Sequence, residues 1–267
     1  MKLKLGKLET QFFAYVQMRR LQTVSIGDLT VSALNITADQ ERKLLSRLQR
    51  AGIIARVRRG LYLVPSRLPL GGKWSPDEIL ALNTLIDDHG GRCQICGPNA
   101  FNRYGFEEQV PTRIYAYNNR ISGERAIGAV TLSLIKVSNE RLGDIEGVQT
   151  AAGLTAVYSS RVRTLVDAVY DWSRFNSLPR AYTWIRGELA ANRVKVPELV
   201  RVTLRYGDKG TIRRIGMLLE AEGVGQALLR RLEQSLKPST GLIPWIPTKP
   251  KRGTINRRWG VVLNGQI

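Results

Sequence analysis

The residue types that carry most enzyme chemistry are sparse in this 267-residue chain and poorly matched to one another. Its two cysteines, Cys93 and Cys96, form a lone C-x-x-C just after the single histidine, His89. A structural zinc site takes four ligands and no second pair exists, so the cysteines read as small buried hydrophobes on an apolar strand. A thioredoxin-like role needs a thiol activated at a helix N-terminus, for which Pro98 leaves some room. Metal-dependent cleavage of DNA needs clustered carboxylates. Pro76-Asp77 can open a nuclease-type motif, yet no acid-x-lysine triplet follows it, and the one such triplet, Glu41-Arg42-Lys43, lies in a basic helix. Nor does a Gly-Ser loop precede a paired-carboxylate strand, as in a nucleotidyltransferase. His89 has no partner recognisable from sequence. The sequence therefore assigns no catalytic residue, no metal and no cofactor.

Basic side chains are what the chain has in excess. Against 22 Asp+Glu stand 41 Lys+Arg, a formal charge of +19 and an isoelectric point near 10.5, the electrostatic footprint of a nucleic-acid binder. The charge sits at the ends: residues 1–66 carry +8, residues 67–234 +5 and residues 235–267 +6. The stretch LLSRLQRAGIIARVRRGLYLVP, residues 44–65, places Arg56, Arg58 and Arg59 on one short hairpin without an acid. A solvated surface needs charge but not charge of one sign, so the hairpin points to an anionic partner.

The elements that must position these arginines follow from periodicity. Residues 8–21 carry Leu8, Phe12, Phe13, Val16 and Leu21 on one helical stripe. Residues 25–34 predict a short second helix with Ile26, Leu29, Ala33 and Leu34 apolar, ended by Asn35 in a left-handed turn. A third helix starts at Thr37, whose T-x-x-Q with Gln40 is a capping box, and runs through Leu44, Leu45 and Leu48 to a stop at Gly52. Two strands turning near Arg59-Gly60 follow. Three helices and a basic hairpin in that order predict a winged helix-turn-helix, whose third helix enters the major groove. Projected at 100° per residue, that helix turns Glu41, Leu44, Leu45, Leu48 and Ala51 inward and Asp39, Arg42, Lys43, Ser46, Arg47 and Arg50 outward. Gln40 is occupied in the cap, and Asp39 suits the helix dipole but repels phosphate. The candidate DNA-binding residues are thus Arg42, Lys43, Ser46 and Arg47 for base edges, Arg50 on the same face, and Arg56, Arg58 and Arg59 for phosphate or the minor groove. Sequence reasoning gives no account of an inward Glu41.

Residues 66–76 (SRLPLGGKWSP) concentrate proline, glycine and serine and mark a boundary between a domain at 1–70 and a larger one at 75–267. In the latter, residues 76–88 read as a helix, and GRCQICG, residues 113–118 and residues 130–137 as strands. Beyond residue 159, SSRVRTLVDAVYDW, LPRAYTWIRGELAA, VPELVRVTLRYG and KGTIRRIGMLLEAEG read as helices, with Pro179 and Pro197 at starts and Gly207 and Gly223 at stops. The expected class is α+β: an N-terminal winged helix-turn-helix followed by a larger mixed α/β domain with a helical second half. Arg163 and Asp167, four apart, are expected to pair on a helix for tenths of a kcal/mol. The tract WIPTKPKRGTINRRWG carries Lys249, Lys251, Arg252, Arg257 and Arg258 between Trp245 and Trp259. It is either a binding tract for DNA or an acidic partner, or a strand with Trp259 in the core and a basic rim. No apolar run long enough to span a membrane and no signal-peptide pattern is present, so a cytoplasmic location without membrane contact is expected.

The stretches LLSRLQRAGIIARVRRGLYLVP, ICGPNAFNRYGFEEQVP, SSRVRTLVDAV, IRRIGMLLEAEG and NRRWGVVLN together resemble the AbiEi antitoxins of type IV toxin–antitoxin systems. The resemblance spans nearly the whole chain in order, through motifs that are individually loose. It implies a DNA-binding antitoxin in phage defence, in which a winged helix represses its own operon at inverted repeats of operator DNA and a C-terminal domain neutralises a nucleotidyltransferase-like toxin, with no enzymatic activity of its own. The C-x-x-C at Cys93 and the loop from Arg120 to Arg125 depart from the family pattern. A winged-helix repressor without a toxin is the alternative, and a DNA-processing enzyme a more distant one.

Overall fold

The computed structural model describes residues 6–32, 34–68, 73–236 and 241–266. Residues 69–72, inside the boundary read from sequence at 66–76, lie outside that set.

Helix α1 (Lys7–Met18), strand β1 (Thr23–Ser25), helix α2 (Ala38–Arg50) and the hairpin of β2 (Ala55–Arg58) and β3 (Leu61–Leu63) surround one core. Their three-stranded sheet has the order β1–β3–β2, antiparallel throughout. Phe12, Phe13 and Val16 of α1 meet Leu44, Leu45 and Leu48 of α2 in that core, beside Ile53, Ile54 and Tyr62. The Thr37 hydroxyl accepts from the Gln40 N–H and the Gln40 side chain accepts in return from the Thr37 N–H, closing the expected capping box. The helix expected over residues 25–34 does not form. Thr23–Ser25 pairs with β3 instead, and residues 26–31 are turns. Gly27 takes φ +104°, which a helix excludes, and the Asp28 carboxylate accepts from the Ser25 N–H at 2.7 Å. Asn35 is left-handed as expected, with φ +47°. Ala51, expected to face inward, is exposed.

The larger part opens with α3 (Glu78–Asp88), capped by the Asp77 carboxylate, which accepts from the Ile79 and Leu80 N–H groups. Strands β4 (Cys93–Ile95), β5 (Ile114–Asn118), β6 (Gly123–Ile127), β7 (Val130–Lys136), β8 (Ile145–Gln149) and β9 (Thr155–Ser159) form a six-stranded mixed sheet, with helix α4 (Pro98–Arg103) between β4 and β5. The order is β6–β7–β5–β4–β9–β8, with β5/β7 and β4/β9 parallel and the other pairs antiparallel. Strand alternation splits the residues between two cores. Ile114, Ala116, Leu132 and Leu134 face α3, joined by Ala55 and Leu63 from the N-terminal hairpin. Tyr117 and Ile135 face the helices that follow.

Those helices are α5 (Arg161–Tyr170), α6 (Trp172–Phe175), α7 (Arg180–Ala190), α8 (Val196–Tyr206), α9 (Lys209–Ala221) and α10 (Gln226–Gln234), so the fold is α+β with a helical C-terminal half. Helices α4 and α10 and strands β6, β8 and β9 add to the elements expected from periodicity. At the C-terminus β10 (Ile243–Pro244), β11 (Thr254–Asn256) and β12 (Val261–Leu263) make a small sheet, with Trp259 buried and Arg258 paired with Glu220 and Glu233 at its rim.

The expected Arg163–Asp167 pair forms, at 2.9 Å, but not on a surface: the side chains are 0% and 1% exposed. Helix α5 packs against α7, α8 and α9 as well as α4 and α6. The Arg163 guanidinium donates to the main-chain oxygens of Arg141 and Gly143 and lies 3.7 Å from the Tyr206 ring centroid. Arg141 reaches Asp167 from the other side at 2.7 Å and lies 3.5 Å from the Tyr170 ring. One carboxylate thus answers two arginines, one fully buried and one 11% exposed, and the surface value of tenths of a kcal/mol does not apply. Asp167→Ala is expected to cost about 3–5 kcal/mol by stranding both cations, whereas Asp167→Asn, which keeps one acceptor, costs less; urea unfolding of the two variants measures the difference.

Candidate nucleic-acid interface

Helix α2 is tied to the turn after β1 by a residue the sequence left unexplained. Glu41 is fully buried, and its carboxylate accepts from the Gly27 N–H at 2.9 Å and the Leu29 N–H at 2.9 Å. It replaces the missing helical hydrogen bonds of the turn after β1 and ties that turn to α2. The inward acid is therefore the anchor of the helix that carries Arg42, Lys43, Ser46, Arg47 and Arg50.

Between α2 and the hairpin lies a cleft of ≈ 980 Å³ lined by Arg42, Ser46, Arg56, Arg58, Arg59 and, from β6, Ala126. Arg42, Lys43, Ser46, Arg47 and Arg50 border a second, shallower hollow of ≈ 390 Å³ along the outer face of α2. The expected residues are thus brought together, but they differ in how free their charges are. Lys43 pairs with Asp39 at 2.7 Å, Arg47 with Glu9 of α1 at 2.5 Å, and the Arg50 Nε donates to the Ser46 carbonyl oxygen at 3.4 Å. Arg58 is held most firmly. Its Nε and one terminal nitrogen each donate to Asp88 at 2.6 Å, and the other terminal nitrogen donates to the Arg59 carbonyl oxygen. It reaches a phosphate only by exchanging Asp88 for it. That fork holds the Asp88 carboxyl below its ordinary value of 3.8. The stability it confers is therefore complete above that value and lost as the pH falls through the lower folded value. Among the described residues Arg42, Arg50, Arg56 and Arg59 have no carboxylate partner, and all of these but Arg50 line the same cleft. Sequence spacing gave the cations; it gave neither Glu9 nor Asp88 as their competitors, because both acids arrive from other elements.

Of the remaining chemical candidates, Cys96 is buried and Cys93 half-buried, while His89 is exposed. Burial pushes the Cys93 thiol up to about 12, and the buried Cys96 thiol lies well above its ordinary value for the same reason. His89 Nδ1 sits 2.8 Å from the Leu85 carbonyl oxygen. Among the described residues no three His, Cys, Asp or Glu side chains come together as a metal site, and no helix is long and apolar enough to cross a membrane.

Residues 15–65 match the family model described as a transcriptional regulator, AbiEi antitoxin. The match covers the segment that builds the cleft, and there it agrees with the resemblance read from the sequence. No curated protein matches the chain. Among solved structures, the RV2827C protein from Mycobacterium tuberculosis is similar with a TM-score of 0.59 over 97% of this chain and 92% of that one, at 14% identity. At that identity the likeness is one of fold.

Glu41→Ala leaves two turn N–H groups unpaired in the core and is expected to lower stability by about 3 kcal/mol, read as a shift of the urea midpoint. Neither thiol is expected to react with iodoacetamide at pH 8 in the native chain, and both react in denaturant; mass spectrometry counts the adducts.

Proposed function

We propose that this chain is a DNA-binding antitoxin that represses its own operon. In this reading the segment before the 66–76 boundary is a winged helix-turn-helix: α2 enters the major groove and the β2–β3 hairpin contacts the flanking backbone. The observation that carries it is the convergence of Arg42, Arg56 and Arg59, cations without a carboxylate partner, on one open cleft. Free guanidinium groups aimed at one space fit a polyanion better than a small ligand, and the regulator family matched over residues 15–65 supports duplex DNA as that polyanion. Arg42, Lys43, Ser46 and Arg47 then read bases, and Arg50, Arg56, Arg58 and Arg59 neutralise phosphates. The second domain, 75–267, neutralises a nucleotidyltransferase-like toxin, and both partners are met in the cytoplasm. The chain itself does no chemistry in this reading.

Binding of the full chain to duplex DNA is expected to fall with salt at a log–log slope of roughly −4 to −5, for about four to six phosphate contacts per monomer. Arg47→Ala, once Glu9 no longer has a partner, erodes discrimination between operator and random duplex by about 1–3 kcal/mol, whereas Arg56→Ala weakens both alike. A flat salt response defeats the DNA reading. The toxin half has a separate test: the Arg42→Ala, Arg56→Ala double variant loses repression yet still relieves growth arrest by the toxin encoded beside it. A variant that loses protection together with repression, or a wild-type chain that never protects, leaves a repressor without a toxin.

A further inference from the structure

The cleft between α2 and the hairpin has a wall from a distant part of the sequence. Strand β6 is the outer edge of the six-stranded sheet, and β2 is an edge of the N-terminal sheet. Ala126 of β6 lines the ≈ 980 Å³ cleft beside Arg42, Arg56 and Arg59, and also an adjoining hollow of ≈ 490 Å³ beside Arg50, Arg56 and Trp74. The parts of the chain that carry the two edges are joined. Arg58 grips Asp88 at the end of α3, and the Trp74 N–H donates to the Gly52 carbonyl oxygen at 2.7 Å. The β6–β7 turn presses so closely on the N-terminal part that a Cβ on Gly128 would stand 2.9 Å from the Pro76 ring and 3.3 Å from the Ala55 Cβ.

Residues 123–126 of this edge are exposed. Charged side chains on an edge strand ordinarily serve only to block pairing with another sheet. Here the two charges are not equivalent. Glu124 is neutralised by an ion pair with Arg113, while the Arg125 guanidinium donates to the main-chain oxygen of Glu124 at 2.8 Å and has no carboxylate partner among the described residues. Arg125, the chain neighbour of the Ala126 that lines the cleft, is thus a further exposed cation without a carboxylate partner, in a part of the chain whose acids and bases are otherwise nearly balanced.

We propose that Arg125 is a phosphate contact for the same duplex that α2 and the hairpin bind, so that the DNA-binding surface runs from the first 66 residues onto strand β6 of the larger part. The inference rests on the reading of the cleft as a DNA site.

The test uses the full chain and a random-sequence duplex, followed by fluorescence anisotropy across a salt titration. Arg125→Gln is compared with Arg56→Gln in the cleft and with Arg230→Gln, an exposed cation on α10, which packs on α8 and α9. Arg125→Gln is expected to weaken binding and to lower the log–log salt slope by about 1, as Arg56→Gln does, with an unchanged melting temperature, while Arg230→Gln behaves as wild type. Arg125→Gln indistinguishable from Arg230→Gln, with Arg56→Gln still weakened, overturns the extension and leaves the cleft reading intact. Absence of salt-dependent binding by the wild-type chain overturns both.

Discussion

A single buried carboxylate organises the larger part of this protein. Asp167 on α5 takes charge-assisted bonds from Arg163 on its own helix and from Arg141 on the segment between β7 and β8. Burying these charges is expensive, and the cost is offset in part: Arg163 reaches two main-chain oxygens and lies against Tyr206, and Arg141 donates to the Tyr206 carbonyl oxygen and lies against Tyr170, with its Nε left without a partner. The network therefore accepts only one seating of the helical layer on the sheet. Slippage of α5 by a turn would leave a cation unpaired in the core.

The N-terminal part uses the same device on a smaller scale. Glu41 is a carboxylate without a cation; its partners are the main-chain N–H groups of Gly27 and Leu29. The turn after β1 has too few residues in helical conformation to satisfy its own backbone, and the acid from α2 supplies the missing acceptors. An acidic residue in the most basic region of the chain thus sets the direction of the helix on which the cations are mounted. Its burial also removes its negative charge from the surface offered to an anion.

Ion pairs distribute the surface charge in a way that composition conceals. Of the cations on α2 and the hairpin, Lys43, Arg47 and Arg58 are answered by Asp39, Glu9 and Asp88, and Arg42, Arg50, Arg56 and Arg59 have no carboxylate partner among the described residues. The answered ones tie elements together: Arg47 joins α2 to α1, and Arg58 joins the hairpin to α3. Exposed pairs of this kind add little to stability. Their effect is geometric: Arg47 and Arg58 fix α2 and the hairpin against α1 and α3.

What the sequence determined by itself was local. The capping box at Thr37 and Gln40, the helical stripe of Leu44, Leu45 and Leu48, the glycine turn after Arg59 and the periodic helices beyond residue 159 all depend on neighbours within a few residues, and each was legible. The reading failed where a distant partner decides the outcome. Residues 25–34 have helical spacing, but Thr23–Ser25 gains ladder bonds with β3 and the following turn gains Glu41, so strand and turn replace the helix. Strand β6, with its run Gly-Glu-Arg-Ala, shows little apolar alternation because its outer edge faces the cleft and solvent instead of a covering layer. Arg163 and Asp167 were rightly paired and wrongly placed, since i,i+4 spacing gives the contact but not the dielectric around it. Only the tertiary structure decides which charges are buried, which acids answer which arginines and which edges meet, because each of those depends on elements tens of residues apart arriving at one point.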